Sequence, residues 1–247
     1  GCDFRGDHVK SPQRHVLDFW CFIPTIAADP MNIEHARFNM IEQQIRPWGV
    51  LDPGVLSLLQ DVRRENFVPT DYRDLAFADI QIPIGQGQAM MEPKLEARLL
   101  QVLAPTAGET ILEIGTGSGY MAALLAGCGA SVTSVDLHGR FLESAARRLR
   151  EAGLDSVTLE EGDASDGWES KVQWDAILLT GSTPILPGAF ENALTENGRL
   201  VAVVGQDPIM EAVMVCRAPD GTLTRKSLFD THVAPLVNTP LTPVFQF

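Results

Sequence analysis

The segment Ile111-Leu-Glu-Ile-Gly-Thr-Gly-Ser-Gly-Tyr120 decides the fold of this 247-residue chain. It begins with a short apolar run, continues with Gly115, Gly117 and Gly119 at two-residue steps, and enters a helical pattern at Tyr120. Glycine is needed where the backbone turns sharply or approaches a ligand, because it has no Cβ. A strand, a glycine loop and a helix in this order place backbone N–H groups and a helix N-terminus at the carboxyl edge of a parallel sheet. The segment therefore predicts an α/β fold with a ligand site at that edge.

After Gly108 short apolar strands alternate with helices. The predicted helices span residues 120–126 and 140–152, and alternation of this kind indicates parallel strands joined by right-handed crossovers. The turn signal Pro219-Asp220-Gly221 instead joins two antiparallel strands, 210–217 and 222–229. The remaining strands are predicted at 110–114, 131–135, 157–160, 176–179 and 200–204. The sheet should therefore be doubly wound and mostly parallel, with an antiparallel element at its C-terminal end.

The chain before the loop divides into two parts. Residues 1–30 lack a helical period and are predicted to be an N-terminal extension, since Asp18 interrupts the apolar run that a signal peptide requires. Residues 31–107 are predicted to be a helical and loop region packed on the core domain, 108–247. Its helices should run from Met31 to the stop at Pro47, from the Asp52-Pro53 cap, and from Pro93, with an irregular connection over residues 64–87.

Composition limits the possible functions. The chain has 45% hydrophobic and 21% charged residues and a formal net charge of −13, so an acidic surface should repel nucleic acid. No apolar run is long enough for a membrane span, and the four cysteines show no C-x-x-C spacing that would indicate a metal site. A reduced, cytoplasmic protein without membrane contacts is expected. The basic cluster Arg147-Arg148-Leu149-Arg150, with Glu143 and Glu151 nearby, is interpreted as a solvated helix face.

Three successive strand ends offer a coherent set of ligand groups. The dinucleotide fingerprint would require glycine where Tyr120 stands, and the Gly-Lys-Ser/Thr of a phosphate-binding P-loop is absent; a purely structural turn remains the alternative. Asp136 ends the strand after the glycine loop and can accept hydrogen bonds from two vicinal ribose hydroxyls. Asp163 can accept from an adenine amino group, while the N–H of Ala164 can donate to a ring nitrogen. Together these groups indicate an adenosine ligand without pyrophosphate, and S-adenosyl-L-methionine fits.

The chain resembles the protein-L-isoaspartate O-methyltransferase family of class I methyltransferases from about Met31 to Pro235. The most specific element is Arg63-Arg-Glu-Asn-Phe-Val-Pro69, which accompanies Leu112–Tyr120, Gly162-Asp163, Trp174-Asp-Ala-Ile177 and Gly198-Arg-Leu200. The resemblance implies a Rossmann-like sheet of seven strands with one antiparallel strand and extra N-terminal helices. It also implies S-adenosyl-L-methionine as cofactor and methyl esterification of isoaspartyl carboxylates in damaged proteins. The expected cofactor-binding residues are Glu113, Gly115, Thr116, Gly117, Gly119, Tyr120, Asp136, Leu137, Asp163 and Ala164.

One stretch departs from the family pattern at the acceptor side. Where the family reads Thr-Ile-Ser after Gly-Gln, this chain has Ala89-Met90-Met91, so Met91 stands at the serine position. Gln88, Met90 and Met91 are expected to contact the acceptor, and Ser182 and Thr183 are candidates to supply the missing hydroxyl or else to cap a nearby helix. Three hypotheses stay open: isoaspartyl repair with a rebuilt site, methylation of a different small-molecule or protein acceptor, and a cofactor-binding module without catalysis.

Overall fold

The computed structural model describes residues 30–240, with side chains from Ile33 onward. The predicted extension up to residue 29, with Cys2 and Cys21, lies outside the described residues, as do residues 241–247. No helix in the described range combines the length and apolar character needed to cross a bilayer.

The N-terminal region consists of short helices and one hairpin. Helix α1 (Pro30–Asn39) continues into a π-helical turn at Met40–Ile45 and ends in a 3-10 turn, Arg46–Trp48, so the predicted helix up to Pro47 is confirmed. Helix α2 (Pro53–Asp61) is capped by Asp52, whose Oδ1 accepts from the N–H of Val55 at 2.9 Å. Two further 3-10 turns follow at Arg64–Asn66 and Thr70–Leu75.

A short antiparallel hairpin replaces part of the predicted irregular connection. Strands β1 (Ile82–Gly85) and β2 (Gln88–Met90) pair across Gln86 and Gly87, which both adopt a positive φ. A two-residue turn with positive φ at both positions matches the right-handed twist of the strands it joins. The strands are too short to show a recognisable alternation in the sequence. The hairpin carries Gln88 and Ala89 toward the edge of the main sheet, where they line a cleft.

The main sheet has seven strands in the order β5-β4-β3-β6-β7-β8-β9. The pairs from β5 to β7 are parallel, while β8 is antiparallel to both β7 and β9, so β8 alone runs against the others. The predicted fold class is therefore confirmed, and the antiparallel strand is the penultimate one. The elements are α3 (Pro93–Leu103), β3 (Thr110–Ile114), α4 (Tyr120–Gly127), β4 (Ser131–Asp136), α5 (Gly139–Glu151), β5 (Thr158–Glu161), β6 (Trp174–Thr183), α6 (Gly188–Asn192), β7 (Leu194–Gln206), β8 (Ile209–Arg217) and β9 (Leu223–Asp230).

Apolar clusters cover both faces of the sheet, which explains why its central strands are continuous apolar runs. On one face Ile111 packs in a cluster that includes Leu59 of α2 and Leu99 of α3. On the other face Leu112 packs in a cluster that includes Phe190 of α6. The N-terminal helices thus share a core with the sheet, and the division at residue 107 stays a prediction.

Candidate active site

The glycine loop joins β3 to α4 at the carboxyl edge of the sheet. Gly115, Gly117 and Gly119 have φ values of 98°, 50° and 84°, a region that favours glycine. A Cβ on Gly115 would overlap the Thr180 hydroxyl, and a Cβ on Gly119 would lie 2.8 Å from Cβ of Ala145. Both backbone conformation and close neighbours therefore require glycine here, and the loop forms a cradle without side chains.

Asp136, the last residue of β4, is tied directly to this loop. Its Oδ2 accepts from the N–H of Gly117 and its Oδ1 from the N–H of His138, each at 2.9 Å. The side chain is mostly buried, and it lines a cleft next to Leu137. A carboxylate oxygen can accept more than one hydrogen bond, so both oxygens retain capacity for ligand hydroxyls.

Asp163 and Ala164 follow β5, two strands away from the glycine loop. The pKa of Asp163 lies below its usual range, first because the N–H of Ser165 donates to Oδ1 at 3.0 Å and also because the Asn238 amide donates to Oδ2 at 2.8 Å. Asp163 is exposed, whereas Ala164 is buried. The strand end thus offers an ionised acceptor next to a backbone donor.

One open cleft, about 90 Å³ in volume, brings most of the predicted ligand groups together. Its wall on the hairpin side is formed by Gln88 and Ala89, and its opposite wall by Thr180 and Gly181. The predicted cofactor residues that line it are Gly115, Gly117, Asp136, Leu137, Asp163 and Ala164. The topology therefore places three separate strand ends around one space.

A second, smaller cavity of about 40 Å³ contains other predicted residues: Glu113, Thr116, Met90 and Met91. It shares Gly115, Gly117 and Thr180 with the cleft. Met90 and Met91 thus contribute to this inner cavity and not to the open cleft. Tyr120 lines neither cavity; it is buried with its ring 5.2 Å from the Arg64 guanidinium.

Two buried carboxyl groups line the inner cavity. Burial raises the pKa of Glu113 to about 8, and the negative charge of the neighbouring Asp136 raises it as well. The hydrogen bond that Ser134 Oγ donates to Glu113 at 2.5 Å acts in the opposite direction. Burial also raises the pKa of Glu96 to about 7, despite its ion pair with Arg64. Oε1 of Glu113 has no hydrogen-bond partner within residues 30–240. It is a buried polar atom adjacent to the glycine loop.

Ser182 and Thr183 have structural partners instead of facing the cleft. Ser182 Oγ donates to the carbonyl oxygen of Val233 at 2.9 Å, and Thr183 Oγ1 to that of Ile185 at 2.7 Å; both side chains are buried. The cleft-lining hydroxyl of this wall belongs to Thr180, which donates to the carbonyl oxygen of Gly115 at 2.6 Å. Thr180 follows the apolar run of β6. The reasoning that predicts a ligand group at Asp136, where an apolar strand ends, therefore also applies to Thr180.

Comparisons with known proteins agree with this geometry. The sequence model of the protein-L-isoaspartate(D-aspartate) O-methyltransferase family matches residues 36–240. The chain belongs to this family. Protein-L-isoaspartate O-methyltransferase 1 of Rhodopseudomonas palustris (strain HaA2) is 36% identical over 90% of this chain and 87% of its own length. The enzyme of Methanospirillum hungatei is 40% identical over 74% of this chain and 85% of its own. The predicted assignment to the methyltransferases is confirmed.

The fold is also shared with a solved structure. A Plasmodium falciparum protein assigned as a protein-L-isoaspartate O-methyltransferase, crystallised with S-adenosyl-L-homocysteine, superposes with a TM-score of 0.70. The match covers 82% of this chain and 97% of that one at 18% identity, so it supports the fold alone.

At the position where the family pattern has serine, Met91 is held by its backbone. Its carbonyl oxygen accepts from Nη2 of Arg64 at 2.9 Å, while its side chain is buried in the core. Arg64 also donates through Nε to the carbonyl oxygen of Ala76 at 2.9 Å. Arg64 therefore fixes the main chain at position 91, while the Met91 side chain adds an apolar surface instead of a hydroxyl.

The raised pKa of Glu113 predicts a pH-dependent loss of stability. Between pH 5 and 7 an unfolded Glu113 is ionised, whereas the folded one keeps its proton, so the free energy of unfolding falls by about 1.4 kcal/mol per pH unit. The loss begins above the unfolded pKa of about 4.5 and is complete above the folded pKa of about 8. Glu113→Gln should lack this component, so the free energy of unfolding of the variant relative to the wild type should rise by about 2–3 kcal/mol between pH 5 and pH 7. Urea unfolding at pH 5 and pH 7 measures the difference, and parallel curves for both proteins would contradict it.

Proposed function

We propose that this protein is an S-adenosyl-L-methionine-dependent O-methyltransferase that esterifies the carboxylate of L-isoaspartyl residues in damaged proteins. The observation that carries the proposal is that the glycine cradle, Asp136 and Asp163 meet in one cleft of a chain belonging to this family. A cytoplasmic location belongs to the same proposal. In support of a reducing compartment, Cys128 and Cys216 are free thiols in the described part of the chain.

The residues of the cleft fit the proposed cofactor. Gly115 and Gly117 line the cleft without side chains of their own, so the cofactor can approach their backbone closely. The Asp136 carboxylate, already oriented by two backbone N–H groups, accepts from the ribose hydroxyls. Asp163 and the N–H of Ala164 form hydrogen bonds with the edge of the adenine ring. The buried Glu113 carboxyl lies next to the loop with one unpartnered oxygen, a group suited to a nearby positive charge.

The chemistry requires position more than acid–base catalysis. When bound, the cofactor supplies a methyl group on a positively charged sulfur. The acceptor carboxylate is ionised at neutral pH, with a reference pKa of about 4, so the protein needs no general base. Gln88, Ala89 and Thr180 stand on the two walls of the cleft, where they confine the acceptor and exclude water. Orientation of this kind supplies a large part of the rate in a two-reactant step.

A different acceptor is the second candidate function, and Met91 is the observation that favours it. An apolar wall beneath the loop suits a small, less polar molecule better than a polypeptide carboxylate. If isoaspartyl groups are the true acceptor, Met91→Ser should supply a hydroxyl donor and raise kcat/KM for an isoaspartyl peptide about tenfold, the equivalent of about 1.4 kcal/mol. Met121→Ser, in the wall of the same cavity, is the matched control and should give no increase. A fall in kcat/KM for Met91→Ser would favour the other acceptor.

The proposed reaction is tested with two peptides that differ only in an isoaspartyl or a normal aspartyl residue. Mass spectrometry should detect a base-labile methyl ester on the isoaspartyl peptide alone, and only when cofactor is present. Transfer to neither peptide, together with transfer to a small acid from a metabolite extract, would establish the second candidate. Cofactor binding without any acceptor would instead indicate a non-catalytic module.

A further inference from the structure

A second groove opens beside the glycine loop. Its volume is about 270 Å³, and its walls are the β1–β2 turn, the loop residues Gly117 and Ser118, and one face of α5. It shares Ile84, Gly117 and Phe141 with the cofactor cleft, so the two spaces are adjacent along the sheet edge. Any chain that places one residue in the cleft can therefore extend into this groove.

The α5 face of the groove is positively charged. Arg140, Ser144 and Arg148 recur at four-residue steps and line it together. Nη1 of Arg148 donates to the carbonyl oxygen of Ser118 at 3.1 Å, which directs this half-buried side chain toward the loop. The basic cluster is thus only partly the solvated face that the sequence suggests: Arg147 and Arg150 are exposed, whereas Arg148 turns into the groove.

These arginines lack acidic partners. Among the described side chains, no carboxylate lies within 4 Å of the charged nitrogens of Arg73, Arg140, Arg147 or Arg148. The nearest acidic side chains are the exposed Glu143 and Glu151 on α5, the exposed Glu161 beside Gly139, and the buried Asp136, whose oxygens accept from the N–H groups of Gly117 and His138. The groove therefore concentrates arginines that form no ion pair among the described side chains, on a protein whose net charge is −13.

The charges around Arg148 agree with this geometry. Burial lowers the pKa of Arg148, and the charges of Arg147 and Arg73 lower it further against the opposing effect of Glu151. At the start of α5 the Asp136 carboxylate accepts from the N–H of His138 and the Glu161 carboxylate lies beside Gly139, so the helix end already has counter-charges. An anionic ligand between Arg140 and Arg148 would offset the positive charge of the arginine cluster.

We propose that this groove binds acidic residues that flank the methylated residue of an acceptor polypeptide. The inference rests on the proposed function, since it requires a polypeptide acceptor in the adjacent cleft. The stretch from Arg140 to Arg148 is about 12 Å long at 1.5 Å per helical residue, enough for about three or four residues of extended chain. A nucleic acid would extend beyond this short groove, and the net charge of −13 disfavours its binding to the rest of the protein.

The test uses equilibrium binding, so that it does not depend on methyl transfer. Two fluorescein-labelled isoaspartyl peptides are compared, one with three flanking glutamates and one with glutamines, on protein saturated with S-adenosylhomocysteine. The wild type should bind the glutamate peptide about tenfold more tightly, and this preference should fall as NaCl is raised. Arg140→Glu should abolish the preference, because it weakens binding of the glutamate peptide much more than binding of the glutamine peptide. Arg150→Glu, exposed on the same helix outside the groove, carries the same charge change and should retain the preference.

The outcomes separate the two proposals. Equal affinity of the wild type for both peptides, or equal effects of Arg140→Glu and Arg150→Glu, would overturn the groove assignment even if methyl transfer occurs. Binding with the expected charge preference but without methyl transfer would remove the proposed function and retain the groove as an acidic-peptide site. A competition experiment compares a single-stranded oligonucleotide with unlabelled glutamate peptide as competitors for the labelled peptide. If the oligonucleotide displaces the labelled peptide at the lower concentration, the groove binds nucleic acid and the proposal is overturned.

Discussion

Asp136→Ala is expected to weaken the affinity for S-adenosylhomocysteine by about 100-fold. The wild-type carboxylate would provide two charge-assisted hydrogen bonds to ribose, each worth about 1.5–3 kcal/mol, and part of that energy is recovered by water in the variant. The same substitution removes the acceptor for the N–H groups of Gly117 and His138, so the glycine loop also loses its tie to β4. Isothermal titration calorimetry measures the change directly.

Two further variants make this result specific. Asp136→Asn keeps one acceptor oxygen and should lose about tenfold, because one of the two N–H groups then faces an amide donor. Asp155→Ala removes an exposed carboxylate between α5 and β5 and should bind like the wild type. Wild-type affinity in Asp136→Ala would show that the cofactor does not use this carboxylate.

Arg64→Met is expected to lower the free energy of unfolding by about 3–5 kcal/mol. Arg64 is fully buried, pairs with Glu96, and donates to the carbonyl oxygens of Ala76 and Met91. Its removal leaves these acceptors without a partner and Glu96 without a counter-charge. Burial already raises the pKa of Glu96 to about 7, so without Arg64 the buried carboxyl should take up a proton. The loss of unfolding free energy should therefore be smaller at pH 5, where this carboxyl is protonated in both proteins, than at pH 8. Denaturant unfolding at both pH values measures it.

The matched control for Arg64 is an exposed arginine in an ion pair of similar form. Arg46 bonds Glu42 at 2.7 Å, but its side chain is 43% exposed, so Arg46→Met should cost less than about 1 kcal/mol. The double variant Arg64→Met with Glu96→Met should recover part of the lost stability, because neither buried charge remains. Equal losses for Arg46→Met and Arg64→Met, or no recovery in the double variant, would contradict this account of the buried pair.

The sequence predicts the cofactor side of the site because topology alone brings its groups together. Asp136, Asp163 and the glycine loop each follow an apolar strand, and parallel strands end at the same edge of a sheet. No tertiary detail is needed for that inference. The buried position of Arg64 is different. Its hydrogen-bond partners Ala76, Met91 and Glu96 lie 12, 27 and 32 residues further along the chain, and most arginines are exposed in folded proteins.

The acceptor side depends on contacts that the sequence does not reveal. The β6–β7 pairing shifts register between Leu178 and Ser182, and the segment near Pro235 then pairs with Ser182. In this pairing the Ser182 hydroxyl donates to the carbonyl oxygen of Val233, and Val233 and Leu236 join the wall of the cleft, whereas the Thr183 hydroxyl donates locally to Ile185. The position of Thr180 can be predicted because it follows an apolar run, but the orientations of Ser182 and Thr183 cannot be predicted from the sequence.

The most direct measurement of the central claim is single-turnover transfer of a tritiated methyl group from cofactor-loaded protein to an isoaspartyl peptide. We expect label in a base-labile ester of that peptide, no label in its aspartyl twin, and a strongly reduced yield for Asp136→Ala at cofactor concentrations that do not saturate the variant. Stoichiometric cofactor binding by the wild type with no transfer to the isoaspartyl peptide would contradict the account.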